Sequence, residues 1–422
     1  MEQGNAVADQ TTFKSYLLFW SGQLVSLLGS SIVQFVIIWW ITVTTGSALY
    51  LALASFLGLA PLAIVGPFAG VFADRWNRKI LVFVADLMQA LAVVVLIILY
   101  WMGWATVWYV LTLLTVRAIF QAFHEPTVSA ITPSMVPKDR LTRMNGLNYL
   151  FSGAVRLIGP VVGAFLLQAW QIHQILWIDV VTFLVAVVPL LVVSIPIVRR
   201  NGKNNSFKFE LKEGFSFVRS KRGVLPLAFL ATGLNFLITP LSTLLPYFVK
   251  FDHLGGAAEL ALIIVFLQAG ILGGGLIMAV KKTWRKKVAT ALAAIAISLT
   301  GYALVALTPS GWFWFMALSA LMLAVTIPIA NVLIQTIMQI VVPLEMQGRV
   351  NSATMALSIA AQPAGTLISG AIVQFTTTAS LFLGCSLSGI LMIATSWFFT
   401  DVRYIETLTP ATEPKTSDST SN

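Results

Sequence analysis

The chain has 422 residues, 58% of them hydrophobic and only 10% charged, with a formal net charge of +10. A soluble globule carries about 25% charge, so that class is excluded, and apolar runs long enough for spanning helices of about 20 residues exclude a β-barrel built from strands of about 10. An excess of Lys and Arg on such a chain belongs to its loops and calls for no nucleic-acid partner.

Taken in order, apolar spans are predicted at 14–43, 48–73, 78–101, 104–132, 144–170, 174–195, 223–249, 258–280, 286–307, 312–341, 350–375 and 379–400. The expected fold class is all-α integral membrane, with twelve transmembrane helices in two six-helix halves. The first residues lack the basic region, short apolar core and small-residue cleavage site of a removable signal peptide, so the first span is expected to direct insertion. With the N-terminus in the cytoplasm, Arg75, Arg78, Lys79, Lys138, Arg140, Arg143, the Arg199–Arg222 cluster and Lys281–Lys287 all fall on the cytoplasmic side, and Lys250 alone falls on the other. That asymmetry implies a multi-pass protein of the plasma (inner) membrane with both termini cytoplasmic.

The organisation expected is an N-terminal half over 1–195, a cytoplasmic linker over 196–222, a C-terminal half over 223–400 and a disordered cytoplasmic tail over 401–422. Within the linker, Phe207, Leu211, Phe215 and Val218 recur at helical spacing, which predicts an amphipathic helix at the membrane surface. The tail is polar and rich in Pro and Thr, a composition that cannot bury enough apolar surface to fold.

One stretch ends an apolar run abruptly: Gly66 to Lys79, GPFAGVFADRWNRK. Gly66 and Gly70 are expected to let a helix end press close to a neighbour, and Asp74, Arg75, Arg78 and Lys79 follow within a short loop. The two halves also echo each other. Val136-Pro137, Arg143, Asn145 and Pro160 in the first half match Val342-Pro343, Arg349, Asn351 and Pro363 in the second. Gly270, Gly273, Gly274 and Gly275 before a basic loop repeat the opening stretch without its Asp. Six plus six helices related by repeats form an architecture in which the substrate site lies between rocking halves.

These residues carry a family resemblance. Gly70, Asp74, Arg75, Arg78 and Lys79 resemble motif A of the major facilitator superfamily, the gating motif between its second and third helices, and Gly159, Pro160 and Gly163 resemble the core of its antiporter motif C. The segment from Arg117 to Pro137 and the twelve-span layout are similar to the drug-efflux branch that includes macrolide efflux proteins and the enterobactin exporter. The resemblance implies alternating access, with Asp74 accepting hydrogen bonds from free amides at the start of the eleventh helix, around Arg349 to Asn351, to latch the halves. It also implies a hinge at Gly159-Pro160, where Pro removes a backbone donor; close packing is the other use of that pair.

Ionisable residues inside spans are costly and so are functional candidates. Asp86, Arg117, Glu125, Arg156, Asp179 and His124 are the set. Depth estimates bring Asp86 and Arg117 level, where they can pair, either to couple protons or as a structural ion pair. Glu125 either loads a proton in an apolar site or sits among headgroups beside Lys138 or Arg140, and Arg156 either binds an anion or pairs with Asp179 or Asp86. Candidates for the substrate cavity are Gln34, Trp39, Asn148, Asn235, Asn331 and Gln335, with Trp40, Tyr149, Phe151, Phe236, Phe35 and Gln362 on the same spans.

No P-loop and no cluster of His, Cys and carboxylates at metal-ligand spacing occurs, and the single Cys385 permits no internal disulfide. The chain is therefore expected to be no enzyme and to need no cofactor or metal. The expected function is secondary active export of small amphipathic drugs, with macrolides as one class, in exchange for protons. Export of a metabolite such as a siderophore, lysophospholipid translocation, and a non-transporting sensor are the alternatives. The partners are substrate, protons and the lipid bilayer, and a monomer is expected.

Overall fold

The computed structural model describes residues 10–196, 207–220, 223–281 and 283–407. Among these the chain is helical throughout: α1 Gln10–Thr45, α2 Ala48–Arg75, α3 Arg78–Trp101, α4 Val107–Met135, α5 Leu141–Leu166, α6 Ile172–Val192, α7 Phe207–Ser220, α8 Val224–Tyr247, α9 Ala257–Val280, α10 Lys287–Ala306, α11 Phe313–Val341, α12 Leu344–Ile372 and α13 Thr378–Phe399. All but α7 are long and apolar enough to cross a membrane, twelve in number as predicted. In lipid a backbone must satisfy its own polar groups, and helices do so within one segment.

Three-sided packing arises inside each set of six. In the first, α1 lies on α5 and α6, and α4 on α2 and α3; in the second, α11 lies between α9 and α10, and α8 between α12 and α13. Small residues permit these approaches. Gly270 and Gly274 of α9 lie against backbone atoms of Leu321 and Val325 on α11, so the glycines before the second basic loop serve helix packing.

The two sets meet along two seams, α2 with α12 and α5 with α9. The successive loops divide the bundle into a basic end, which carries Arg78, Lys79, Arg140, Lys281 and Arg349, and an opposite end. At the opposite end the first seam is tight: a methyl group added to Gly370 of α12 would collide with the Ala52 side chain and come within 3.1 Å of the Ala48 carbonyl. Nearby, the Phe251 ring lies beside Gly46, and Lys250 Nζ stands 6.0 Å over the ring of Trp39. Lys250 and Phe251 belong to a π-helical turn, Phe248–Asp252, that continues α8 after Pro246.

Two expectations change here. The tail was expected to be disordered from 401, but Asp401–Thr407 forms a 3₁₀ segment whose Val402 and Ile405 are fully buried against the second set of helices. Gly223, at φ +80°, lets the chain pass close under that segment, where an added methyl group would come within 3.2 Å of the Asp401 carbonyl. The rest of the tail, from 408, lies outside the described residues. Gly66 was expected to press against a neighbour, yet an added methyl there meets nothing within 4 Å.

Candidate functional site

Two polar clusters are buried inside the first six helices, and they are built on one spacing. On α1, Gln23 and Ser30 are seven residues apart; on the antiparallel α4, His124 and Arg117 are also seven apart. Seven residues make nearly two turns, about 10.5 Å at 1.5 Å per residue, so each helix presents two groups on one face at matching heights. Asp86 of α3 completes one rung and Asp179 of α6 the other.

In the outer rung, Arg117 Nη2 donates to Asp179 Oδ2 at 3.1 Å and Ser30 Oγ donates to Asp179 Oδ1 at 2.7 Å. Both charged side chains are more than nine-tenths buried. In the rung nearer the basic end, His124 Nε2 lies 3.1 Å from Asp86 Oδ1 and 3.0 Å from Gln23 Oε1, while Gln23 Nε2 donates to Asp86 Oδ2 at 3.4 Å. Both oxygens facing Nε2 are acceptors, so this nitrogen carries the hydrogen.

The expected pairing of Asp86 with Arg117 is therefore corrected: the two residues sit on different rungs and take different partners. The depth estimate ran along each helix but carried no information about the helices between. Arg156 likewise pairs with neither Asp179 nor Asp86; it is exposed and has no ion pair among the described residues. Gln23 and Ser30 were missed as site residues. The repeated seven-residue step on α1 was the available signal.

Glu125 neighbours His124 in sequence but projects from another face of α4. It is exposed, receives a hydrogen bond from Gln121 Nε2 at 3.3 Å, and makes no ion pair with Lys138 or Arg140. Its side chain lines a cavity of about 360 Å³ between α2, α4 and α12, with Leu59, Leu62, Gly66, Ala122, Pro126, Ser129, Ile359 and Gln362. This wall is largely apolar with a carboxylate and an amide set into it, at the lower end of the size range of small-molecule sites. The open space at Gly66 is part of that cavity.

Of the polar candidates on the spans, only Gln362 lines this cavity. Gln34, Asn331 and Gln335 are exposed elsewhere; Asn148 accepts a hydrogen bond from Trp20 Nε1 at 3.2 Å; Asn235 donates to the Ala231 carbonyl of its own helix at 2.9 Å; Trp39 lies under Lys250.

At the basic end, the surroundings of Gly70 and the side chains of Asp74 and Arg75 lie outside the described residues, so the gating contact expected of Asp74 does too. The two cations that follow are placed. Arg78 Nη1 donates to the Ala130 carbonyl of α4 at 2.8 Å, and Lys79 Nζ donates to the Leu191 and Val193 carbonyls at 2.6 and 2.9 Å. Lys79 thus caps the last turn of α6, where carbonyls lack helical partners and the helix dipole favours a cation.

The start of the eleventh spanning helix also differs from expectation. That helix, α12, begins at Leu344, so its free amides belong to the first turn, which precedes Arg349 to Asn351. Arg349 is instead held by the linker: its Nη1 is 2.8 Å from Glu213 Oε2 on α7. Gly214 lies directly against the Arg349 carbonyl, and Val218 is buried. The amphipathic helix predicted in the linker exists, but its packed face centres on Gly214 and Val218, and Phe215 is exposed; the side chains of Phe207 and Leu211 are outside the described residues.

In α5, a methyl group on Gly159 would collide with Ser31 of α1, and one on Gly163 would come within 2.9 Å of the Phe35 ring. Gly159 and Gly163 therefore bring α5 against α1, with Pro160 buried between them.

Twelve spanning helices in two sets, joined along two seams with a partly polar cavity between them, define a membrane transporter. Residues 19–362 match the family model of the Major Facilitator Superfamily, and the chain belongs to that superfamily. It is 32% identical to macrolide efflux protein A of Streptococcus pyogenes over 90% of this chain and 93% of that one. It is 24% identical to the multidrug efflux pump Tap of Mycolicibacterium fortuitum over 87% and 91% of the two chains. The fold is shared with the nucleoside transporter NupG, with a TM-score of 0.72 at 13% identity over 90% of this chain and 99% of the other.

Proposed function

We propose that this protein is a secondary active exporter of amphipathic small molecules, macrolide-like drugs among them, that exchanges substrate for protons by alternating access. The observation that carries this reading is the similarity to macrolide efflux protein A across nearly the whole chain. The apolar cavity wall, interrupted by Glu125 and Gln362, is consistent with it, because sparse polar groups on an apolar surface suit bulky amphipathic ligands.

In this reading the chain is a monomer in the cell membrane with its basic end in the cytoplasm. The units 1–195 and 223–400 rock against each other about the seams, and 196–222 links them. Asp74 latches the cytoplasmic side when the cavity opens outward, and α5 flexes at Gly159-Pro160-Gly163. Glu125, Asp86 and Arg117 belong to the coupling machinery, and Gln34, Trp39, Asn148, Asn235, Asn331 and Gln335 meet substrate as the cavity enlarges.

The test is accumulation of erythromycin and of ethidium in cells expressing the protein, with and without a protonophore. Expression is expected to lower accumulation of at least one compound, and the protonophore to restore it. Absence of gradient-dependent efflux for both would sink the proposal.

A further inference from the structure

The described spans of the last six helices contain no Asp, Glu, Lys or Arg away from their ends, so membrane-buried charge is confined to the first six. There, the two rungs differ in kind. Asp179 faces Arg117, a cation that never deprotonates, so that rung keeps the same charge throughout a cycle. Asp86 faces His124, and imidazole is the side chain whose ordinary protonation change lies within the physiological range. Gln23 holds both, with its carbonyl on the imidazole and its amide on the carboxylate.

We infer that the exchanged proton is held by the Asp86–His124 pair on its Gln23 bracket, a deepening that rests on the proton-exchange reading above. The contacts place the hydrogen of neutral His124 on Nε2, leaving the Nδ1 lone pair as the acceptor. Proton uptake forms an N–H bond at Nδ1 and changes the cluster from net −1 to net 0, with Asp86 remaining as the counter-ion; release restores the lone pair and the negative charge. Neither state requires the contacts of His124 Nε2 to be rearranged.

The other ionisable groups around the pair fit this assignment. On α4 itself, Glu125 opens onto the cavity and Arg117 lies two turns away; on α6, Asp179 is occupied by Arg117; on α3, Lys79 is two turns below Asp86 and bound to α6 carbonyls; α1 contributes the uncharged Gln23. Glu125 lines the cavity from a different face of α4, and among the described residues the Asp86–His124 pair is the one histidine–carboxylate pair buried within the first six helices.

The experiment uses the purified full chain in weakly buffered detergent with a pH-indicator dye, and the same protein in everted membrane vesicles. Addition of erythromycin or ethidium, whichever the cells export, is expected to release protons from the wild type. His124→Asn and Asp86→Asn are expected to bind the compound within about threefold of wild type, to release no protons, and to lose at least tenfold of uphill uptake driven by a pH gradient while retaining downhill flux. Proton release and gradient-driven uptake that persist in both variants overturn the inference and leave proton exchange standing. A wild type that releases no protons and ignores the gradient overturns both. Loss of binding and of downhill flux together in both variants assigns the pair to structure alone and also overturns the inference.

Discussion

Arg117 Nη2 and Asp179 Oδ2 lie 3.1 Å apart across α4 and α6, and Ser30 takes up the second carboxylate oxygen from α1. Three helices are thereby pinned at one level inside an apolar bundle. Nη1 of the same arginine is buried without a partner among the described residues.

Removing one member of a buried pair strands the other charge, which costs about 3–5 kcal/mol. Arg117→Met and Asp179→Leu are each expected to lower the unfolding temperature in detergent markedly. The double variant, which leaves no stranded charge, is expected to recover most of the loss. Thermal unfolding of the three proteins checks this, and a double variant less stable than either single one contradicts it.

Gly159→Ala is expected to reduce folded yield and transport, because the new methyl must displace Ser31 and part α5 from α1. Gly66→Ala places the same methyl in open space and is expected to leave stability within about 0.5 kcal/mol of wild type. Size-exclusion profiles and efflux of the two variants measured side by side separate the positions.

Lys79→Met removes the cation that closes α6 at Leu191 and Val193. A loss of about 1 kcal/mol is expected, growing smaller in high salt for the wild type because a partly exposed charge is screened. Unfolding midpoints at two ionic strengths provide the measurement.

Glu213 and Arg349 are about one-third exposed, so their pairing contributes only about 0.5 kcal/mol. Its effect should show in transport, since it ties α7 to the helix that forms one wall of the cavity. Glu213→Arg and Arg349→Glu are each expected to slow efflux, and their combination to restore it in part; a double variant no better than the singles removes the linker from the cycle.

Asp74→Asn is expected to insert normally and to lower efflux. Surface expression and dye efflux are measured together, and full efflux in that variant removes the latch assignment.

Much of the architecture was legible because membrane spans announce themselves by length: twelve apolar runs became twelve helices, with ends shifted by a few residues. Partnerships were legible only where the cue is local. Asp86 and Arg117 looked level because depth was counted along each helix, but which neighbour a side chain faces depends on how α1 and α6 are rotated, and that is a tertiary property. His124 took the place assigned to Arg117 because it lies on the same stripe of α4, two turns further on. The carbonyl partners of Arg78 and Lys79 could not be read, since acceptors at helix ends leave no trace in residue identity. Val402 and Ile405 were lost in a polar segment whose average composition concealed two apolar side chains.

The confinement of intramembrane charge to the first six helices has an electrical consequence. A charge carried across the membrane potential exchanges about 2.3 kcal/mol per 100 mV, whereas an uncharged span exchanges almost nothing. Voltage can therefore do work on the helices that hold Asp86, Arg117, His124, Glu125, Arg156 and Asp179, and it finds no handle within the spans of the other six. Among the described residues the last six spans are electrically silent away from their ends, so the protein's own share of any dependence of transport on membrane potential comes from the first six, added to that of the exchanged proton and substrate.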